Sequence, residues 1–143
     1  KRSRELSQAH SQANGLSTDE HRFIVMDVFE YFKYAKRKAL TYDVIVLDPP
    51  SFARNKKRTF SVAKDYHRLV AQALEILNPQ GIMILSTNAA NLSKSKFKQE
   101  IEKGLAGRKH RYLAEYGLPA DFVYNKKDGS SNYLKVFTIK VDQ

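Results

Sequence analysis

Cysteine is absent from the 143-residue chain, and this absence excludes several kinds of site. A chain without thiols has no disulfide bond, no thiolate zinc site and no cysteine nucleophile of its own. The absence is also typical of proteins from a reducing compartment, and we expect the cytoplasm. The histidines do not have the spacing of metal ligands, so we predict no metal site; they are His10, His21, His67 and His110.

Long apolar runs are also missing. The longest candidates are Val44–Leu47 and Ile82–Leu85, which are far shorter than the ~20 residues that span a bilayer. Residues 1–16 are polar and charged, so we expect neither a membrane-spanning segment nor a secretory leader. With 42% hydrophobic residues, 4 prolines and 6 glycines, the composition is typical of one globular domain rather than a disordered linker.

Acidic residues are too few to balance the basic ones. Asp and Glu number 15 against 25 Lys and Arg, which leaves a formal net charge of +10. This excess favours a polyanionic partner, nucleic acid first and an anionic membrane surface second. There are two basic clusters: one spans residues 94–111, which we interpret as a solvated helix face, and the other comprises Arg54, Lys56, Lys57 and Arg58.

Hydrophobic periodicity predicts alternating helices and strands. We predict helices near residues 6–16, 28–40, 62–77 and 97–105, a loop at 49–59, and strands at 21–27, 43–48, 81–88, 111–116 and 133–141. Alternation of this kind is typical of an α/β fold with a mostly parallel sheet and helices on both faces.

Three local details follow from the same patterns. The strand at 43–48 is continuously apolar between two acids, Asp43 and Asp48, so we expect it to be buried on both faces of the sheet. Gly81 ends a predicted turn, and we expect it to have a positive φ. The last strand alternates in a way that suits an antiparallel edge, with Leu134 and Val136 facing inward and Lys135 facing outward.

The sharpest chemical signal is the motif Asp48-Pro49-Pro50-Ser51-Phe52, which follows a predicted buried strand. The two prolines fix φ and remove two N–H donors, so the backbone leaves the strand as a rigid corner with carbonyls available. The carboxylate and these carbonyls can accept hydrogen bonds from a planar group, and Phe52 can stack on it. The same residues also suit an ordinary strand end with a tight turn and a buried phenylalanine. We favour the functional interpretation because ligands bind at the carboxyl ends of strands in α/β sheets.

The motif and its flanks, VLDPPSF, resemble the Asp/Asn-Pro-Pro-aromatic signature of Rossmann-like methyltransferases that use S-adenosylmethionine. The longer stretch from Asp48 to Asn88 is similar to the bacterial 23S rRNA methyltransferases of the RlmI and RlmK/L group. The resemblance implies a Rossmann-like class I methyltransferase, a three-layer α/β sandwich with a mostly parallel sheet and an antiparallel last strand. It runs over essentially the whole chain but covers only the later part of that family's catalytic domain. We therefore expect residues 1–143 to be a truncated methyltransferase catalytic domain, with the first strands, the glycine-rich loop and the ribose-binding acid upstream of Lys1.

The resemblance implies S-adenosylmethionine as the cofactor and three residues that bind it. Asp27 matches the family's acid that accepts a hydrogen bond from the adenine amino group, and Val28 supplies a backbone N–H to the same ring. Asp48 is expected near the methionine end of the cofactor. Without the resemblance, Asp27 is typical of a helix N-cap.

The resemblance also implies catalytic and RNA-binding residues. Asp48 is expected beside the target base, Pro49 and Pro50 are expected to shape its slot, and Phe52 is expected to face the base. The implied partner is 23S rRNA, and the motifs indicate no oligomeric state. Basic side chains after the motif and a polar one at the end of the next strand are the candidate RNA contacts: Arg54, Lys56, Lys57, Arg58 and Asn88.

The target atom is the point at which this sequence departs from part of the family. Cytosine-C5 methylation needs a nucleophilic cysteine, which the C5-methylating members carry after the strand that here reads ILSTN. Thr87 occupies this place, so we expect methyl transfer to a base nitrogen, guanine N7. Three alternatives stay open: a cytosine-C5 rRNA methyltransferase whose cysteine lies elsewhere, a DNA adenine-N6 methyltransferase, and a non-catalytic RNA-binding module with a methyltransferase fold. The DNA enzymes usually have the aromatic residue directly after the second proline, whereas here Ser51 intervenes.

Overall fold

The computed structural model describes residues 2–19, 21–54, 59–125 and 127–142. The helices are α1 (Arg2–Ala13), α2 (Val28–Arg37), α3 (Val62–Leu74) and α4 (Lys94–Leu105), with a short 3-10 helix at Gly129–Ser131. The strands are β1 (Tyr42–Leu47), β2 (Phe52–Arg54), β3 (Thr59–Ser61), β4 (Leu77–Thr87), β5 (His110–Tyr116) and β6 (Lys135–Val141). Each predicted helix is present, as is each predicted strand except the one at 21–27.

The main sheet has the strand order β1-β4-β6-β5. β1 and β4 are parallel, and β6 is antiparallel to both of its neighbours, which confirms a mostly parallel sheet with an antiparallel last strand. The prediction that this strand lies at an edge is wrong, because it pairs on both sides and buries Phe137, Ile139 and Val141 in the core. The prediction that Leu134 and Val136 face inward is also wrong, since Val136 alternates with the buried residues and Leu134 precedes the strand.

A single apolar core includes residues of the sheet and of helices α2, α3 and α4. Helix α3 contacts both α2 and α4, and its apolar residues recur at helical spacing. Tyr66 of α3 packs edge-on against Phe97 of α4 with ring centroids 4.8 Å apart, and Phe97 lies 5.7 Å from Phe137 of β6. Burial of each large apolar side chain contributes about 1.5–3 kcal/mol, so these rings hold α3 and α4 firmly against the sheet.

The opposite face of the sheet is open in the part of the chain that the structure describes. Val44 and Val46 of β1 are 51% and 61% exposed, whereas Ile45 and Leu47 are buried. Helices α2, α3 and α4 contribute to the core on the other side, and α1 buries none of its residues. The prediction that this strand is buried on both faces is therefore wrong for the described residues.

The strand predicted at 21–27 is absent. This segment pairs with no strand among the described residues, and Ile24, Val25 and Met26 are exposed. Apolar and β-branched residues form a strand only where a neighbouring strand supplies hydrogen bonds. The prediction was wrong because the pattern reports the propensity of a segment and not its partner.

Two short strands, β2 and β3, lie in the region predicted to be a loop. β2 and β3 form an antiparallel pair in which Phe52 lies opposite Ser61 and Arg54 lies opposite Thr59. Strands of three residues are too short for an alternating pattern to identify them. The hairpin sets the direction in which the chain leaves the Pro-Pro corner.

The turn predicted at residues 78–81 lies inside β4 instead. Gln80 has the positive φ, 63°, that was expected of Gly81. Gly81 is required for a different reason, because a Cβ at this position would lie 2.7 Å from the carbonyl oxygen of Asn78 and 2.7 Å from the Leu77 side chain. Any side chain there would force the start of β4 to shift.

Among the described residues, no helix combines the length and the apolarity needed to cross a bilayer. In the same ranges, no group of three or more His, Asp or Glu side chains is arranged to hold a metal ion.

Candidate active site

The Asp48–Phe52 motif leaves β1 at the carboxyl edge of the sheet. The parallel register places Leu47 opposite Leu85, so Asp48 and Ser86, the next residues of their chains, are neighbours. The Ser86 hydroxyl donates a hydrogen bond to Asp48 Oδ1 over 2.5 Å. Ser86 is buried and Asp48 is exposed, so a fixed buried hydroxyl orients a carboxylate that remains accessible to a ligand.

A second hydrogen bond joins the corner to the residue that follows β4. Ser51 Oγ donates to Asn88 Oδ1 over 2.8 Å. The predicted RNA contact Asn88 is therefore also a structural partner of the motif. Because a side-chain amide has two N–H donors besides its oxygen, this bond leaves Asn88 able to donate to a ligand.

Tyr66 of α3 supports the corner from the core. It is fully buried, and its hydroxyl lies 3.0 Å from the carbonyl oxygen of Leu47 and 3.1 Å from that of Ser86, so it can donate to either. Burial, with a smaller effect of the Asp48 charge, raises the pKa of Tyr66 well above its ordinary value. The hydroxyl therefore stays protonated and continues to tie the ends of β1 and β4 together.

Asp27 caps the first turn of α2. Its Oδ1 accepts hydrogen bonds from the backbone N–H groups of Phe29 and Glu30, at 3.0 and 3.3 Å. The N-cap expected from the sequence alone is thus present. The N–H of Val28 belongs to the first turn, where the helix itself offers no acceptor, so it is suited to bind an acceptor from outside the helix.

One cavity brings two of the candidate cofactor residues, Asp27 and Val28, together with the Pro-Pro corner. Its volume is about 250 Å³. Most of its wall is apolar, with one carboxylate and one guanidinium; the lining residues are Asp27, Val28, Phe29, Pro49, Pro50, Ala53, Arg54, Phe60 and Leu69. Apolar walls with a carboxylate among them fit a flat heterocycle that carries an amino group.

Of the remaining predicted site residues that the structure describes, Arg54 alone lines this cavity. Asp48 and Asn88 lie beside it at the strand ends, and Phe52, 61% exposed, lies at the start of β2. Arg54 is exposed and contributes to the cavity wall. The other predicted RNA contacts in this cluster lie outside the described residues; they are Lys56, Lys57 and Arg58.

The second basic cluster, residues 94–111, lies on α4 and on the residues that follow this helix. Its lysines on the helix are exposed, and Lys98 Nζ lies 4.2 Å from the centroid of the Tyr112 ring. Lys103 is 4.0 Å from a carboxylate oxygen of Glu100. These positions agree with the interpretation of a solvated helix face.

The sequence analysis assigned no role to two residues of the site, Ser86 and Tyr66. Ser86 could have been found from strand alignment, because the apolar runs of β1 and β4 end one residue before Asp48 and Ser86 respectively. Tyr66 offers no such signal, since it is one of several apolar residues in the stripe of α3. Its role depends on which backbone carbonyls lie above it, and only the tertiary structure shows this.

Comparison with known proteins agrees with this geometry. A family model described as S-adenosylmethionine-dependent methyltransferase matches residues 4–115. YwbD of Bacillus subtilis, provisionally named a ribosomal RNA large subunit methyltransferase, is 43% identical over 129 residues, which cover 89% of this chain and 33% of YwbD. Ribosomal RNA large subunit methyltransferase I of Photobacterium profundum is 25% identical over 139 residues, which cover 96% of this chain and 35% of that protein.

A solved structure shares the fold over almost the whole chain. SMU.776, provisionally assigned as a methyltransferase and crystallised with S-adenosylhomocysteine, gives a TM-score of 0.94 at 62% identity, over 99% of this chain and 37% of its own. The chain thus spans about a third of the length of these curated relatives. Together with a match to a relative named methyltransferase K/L, the comparisons confirm the predicted fold class and the predicted resemblance.

Proposed function

The chain belongs to the family of S-adenosylmethionine-dependent methyltransferases, and on this premise we propose that it forms part of an enzyme that methylates 23S rRNA at a base nitrogen, guanine N7. The observation that carries the proposal is the cavity in which Asp27 and Val28 meet Pro49 and Pro50. Asp27 and Val28 lie at the start of α2, whereas Pro49 and Pro50 follow β1. Their convergence supports one site that serves both the cofactor and the base.

The cavity suits the adenine end of S-adenosylmethionine. Val28, Phe60 and Leu69 provide apolar walls that exclude water from a flat ring. Asp27 accepts a hydrogen bond from the exocyclic amino group, and the Val28 N–H donates to a ring nitrogen. Both groups lie at the start of α2, where the Asp27 cap already fixes the backbone.

The motif suits the positioning of a base. When bound, S-adenosylmethionine supplies an electrophilic methyl group on a sulfonium sulfur. Guanine N7 has a lone pair in the plane of the ring, so this chain need not provide a general base. Asp48, oriented by Ser86, hydrogen-bonds the base edge, and Phe52 stacks on the ring. The chain therefore contributes orientation and proximity, after the base has been extruded from the folded RNA.

The residue at the end of β4 supports nitrogen rather than carbon as the acceptor. Thr87 stands where C5-methylating members carry cysteine, and it is fully buried. Its Oγ1 accepts a hydrogen bond from the backbone N–H of Ala89 over 3.1 Å. This hydroxyl shapes the chain after the strand and does not reach a base as a nucleophile.

A methyl-transfer assay tests the proposal. The full-length protein that contains this chain would be incubated with tritiated S-adenosylmethionine and undermethylated 23S rRNA, and the nucleosides would be separated. We expect 7-methylguanosine from the wild type, a strong loss with Asp48→Asn, and no change with the matched control Asp19→Asn on an exposed turn. Product found only as 5-methylcytidine would reject the nitrogen assignment. RNA binding without any transfer would identify a non-catalytic RNA-binding module instead.

A further inference from the structure

A larger cavity adjoins the corner and has no part in the proposed methyl transfer. Its volume is about 730 Å³, within the ~300–1,000 Å³ range of typical ligand sites. It lies beyond the carboxyl ends of β4 and β5, and its wall begins at Ala90, two residues after Asn88. Asn88 is hydrogen-bonded to Ser51 of the motif. Only Ala89 therefore separates a hydrogen-bond partner of the motif from the wall of this cavity.

A cation is built into this cavity. Lys135, at the start of β6, donates from Nζ to the carbonyl oxygens of Ala89 and Tyr133, each over 2.9 Å. Within the described residues no carboxylate pairs with it, and partial burial lowers the pKa of its ammonium group. An ammonium has three N–H donors, so one remains for an oxygen of a ligand.

The acidic residues in the wall are already engaged. Glu115 forms an ion pair with Lys94. Asp128 Oδ1 accepts from the backbone N–H and the hydroxyl of Ser130, at 2.9 and 2.6 Å. The charge of Glu115 is therefore balanced by Lys94, and Asp128 is held by two hydrogen bonds, so Lys135 is the cation in the wall that can receive an anionic or carbonyl oxygen.

The other polar groups in the wall suit a nucleobase. Tyr116 and Tyr124 are 61% and 38% exposed, which leaves ring surface for stacking. The side-chain amides of Asn91 and Asn132 make no hydrogen bond within the described residues, so their donors and acceptors are available to a base edge. Stacking on aromatic rings combined with hydrogen bonds to base edges is how proteins recognise unpaired RNA nucleotides.

We propose that this cavity binds one unpaired RNA nucleotide that flanks the nucleotide at the Asp48–Phe52 corner. Tyr116 or Tyr124 stacks on its base, Asn91 or Asn132 contacts the base edge, and Lys135 binds a phosphate oxygen. The net charge of +10 favours a nucleic acid over a neutral small molecule. The inference rests on the proposed function for its choice of RNA, and it assigns to this cavity the selection of a neighbouring nucleotide.

Binding by the full-length protein tests the inference separately from catalysis. Fluorescence anisotropy with a fluorescein-labelled single-stranded RNA oligonucleotide, at fixed salt, would compare the wild type with a Tyr116→Ala/Tyr124→Ala double variant and with Asn132→Ala. We expect the double variant to bind about 5- to 150-fold more weakly, the range for loss of one stacked base. Tyr34→Ala on α2, which lines neither cavity, is the matched control. Calorimetry with S-adenosylhomocysteine should show unchanged affinity in all variants.

A single abasic nucleotide moved along the oligonucleotide locates the contact. One position should weaken binding to the wild type and have no further effect in the double variant, because the stacking partner is already lost. If the wild type and the double variant bound the RNA equally well, or neither bound it, the inference would be overturned. The proposed function would still be tested separately by the methyl-transfer assay. Loss of binding in the double variant of a protein that transfers no methyl group would support the inference and reject the proposed enzyme.

Discussion

Ser86 donates a hydrogen bond to Asp48 across the carboxyl ends of two parallel strands, with 2.5 Å between Ser86 Oγ and Asp48 Oδ1. The donor is buried and belongs to β4, whereas the acceptor is exposed and directly precedes Pro49 and Pro50. The orientation of the carboxylate is therefore set by a neighbouring strand and not by the motif itself. Ser86 acts as a positioning residue for the proposed contact between Asp48 and the base.

Replacement of Ser86 with alanine should lower kcat more than it raises the KM for RNA. Hydrogen bonds to charged groups contribute about 1.5–3 kcal/mol, so we expect about a 10- to 100-fold loss of kcat/KM at unchanged affinity for S-adenosylmethionine. Steady-state methyl transfer by the full-length protein measures this. Ser86→Thr should recover much of the loss, because it restores a hydroxyl. Wild-type kinetics in Ser86→Ala would show that the bond has no catalytic role.

Loss of the Tyr66 hydroxyl should destabilise the protein without disturbing its packing. Tyr66→Phe keeps the edge-on contact with Phe97 but leaves the buried carbonyl groups of Leu47 and Ser86 without this donor. An unsatisfied buried polar group costs about 1–3 kcal/mol, so the free energy of unfolding should fall by this amount in urea denaturation at pH 7. An exposed Tyr116→Phe change should stay within about 0.5 kcal/mol. Equal effects of the two substitutions would contradict the structural role of Tyr66.

The Tyr66 hydroxyl should also make the stability of the protein depend on pH in the alkaline range. Because the pKa of Tyr66 is raised in the folded state, its contribution to stability is complete below the ordinary tyrosine pKa of about 10 and is lost as pH rises above it. Burial also raises the pKa of Tyr31, to about 12, so wild-type stability should fall between pH 10 and 12. Above pH 10, the free energy of unfolding of Tyr66→Phe should fall less steeply with pH than that of the wild type, by about 1.4 kcal/mol per pH unit. Parallel pH profiles for the two proteins would refute this assignment.

The sequence analysis predicted the elements in which apolar residues recur regularly over many positions. It failed for features that depend on a hydrogen-bond partner elsewhere in the chain. The helix α3 begins at the predicted residue, directly after Ser61, because its apolar stripe is clear. The Ser61 side chain does not cap the helix, although serine is a common N-cap residue; instead the backbone N–H of Ser61 donates to Asp65 Oδ2 over 3.0 Å. Position follows from local periodicity, whereas the identity of the hydrogen-bond donor depends on the fold around the helix terminus.

The candidate site divides in the same way. Pro49 and Pro50 were recognisable because their backbone chemistry is local and they follow an apolar strand. The partners Ser86 and Asn88 lie 38 and 37 residues beyond the atoms that they bind, so their roles required the parallel register of β1 and β4. The polar cavity around Lys135 was not predicted either, since its wall combines the end of β5, the start of β6 and residues of two separate connections.

The 143-residue chain alone should bind S-adenosylmethionine weakly or not at all. The chain contains no glycine-rich GxGxxG loop, and its cavity of about 250 Å³ provides only the adenine contacts that we propose. Calorimetry with the isolated chain should show no binding in the micromolar range, whereas the full-length protein should bind. Micromolar affinity of the isolated chain would show that the described residues form a complete cofactor site.

Two substitutions of Asp27 should separate its cap from its proposed contact with adenine. Ser and Asp are comparable N-caps, so Asp27→Ser should preserve the free energy of unfolding, whereas Asp27→Ala should lower it by about 0.5–2 kcal/mol. Both remove the carboxylate, and loss of a hydrogen bond to a charged group costs about 1.5–3 kcal/mol, so both should raise the Kd for S-adenosylmethionine at least tenfold in the full-length protein. Calorimetry and urea denaturation on the same preparations measure the two effects. If Asp27→Ser kept wild-type affinity, Asp27 would be a helix cap alone, and the adenine would have to be held by Val28 and the apolar walls of the cavity.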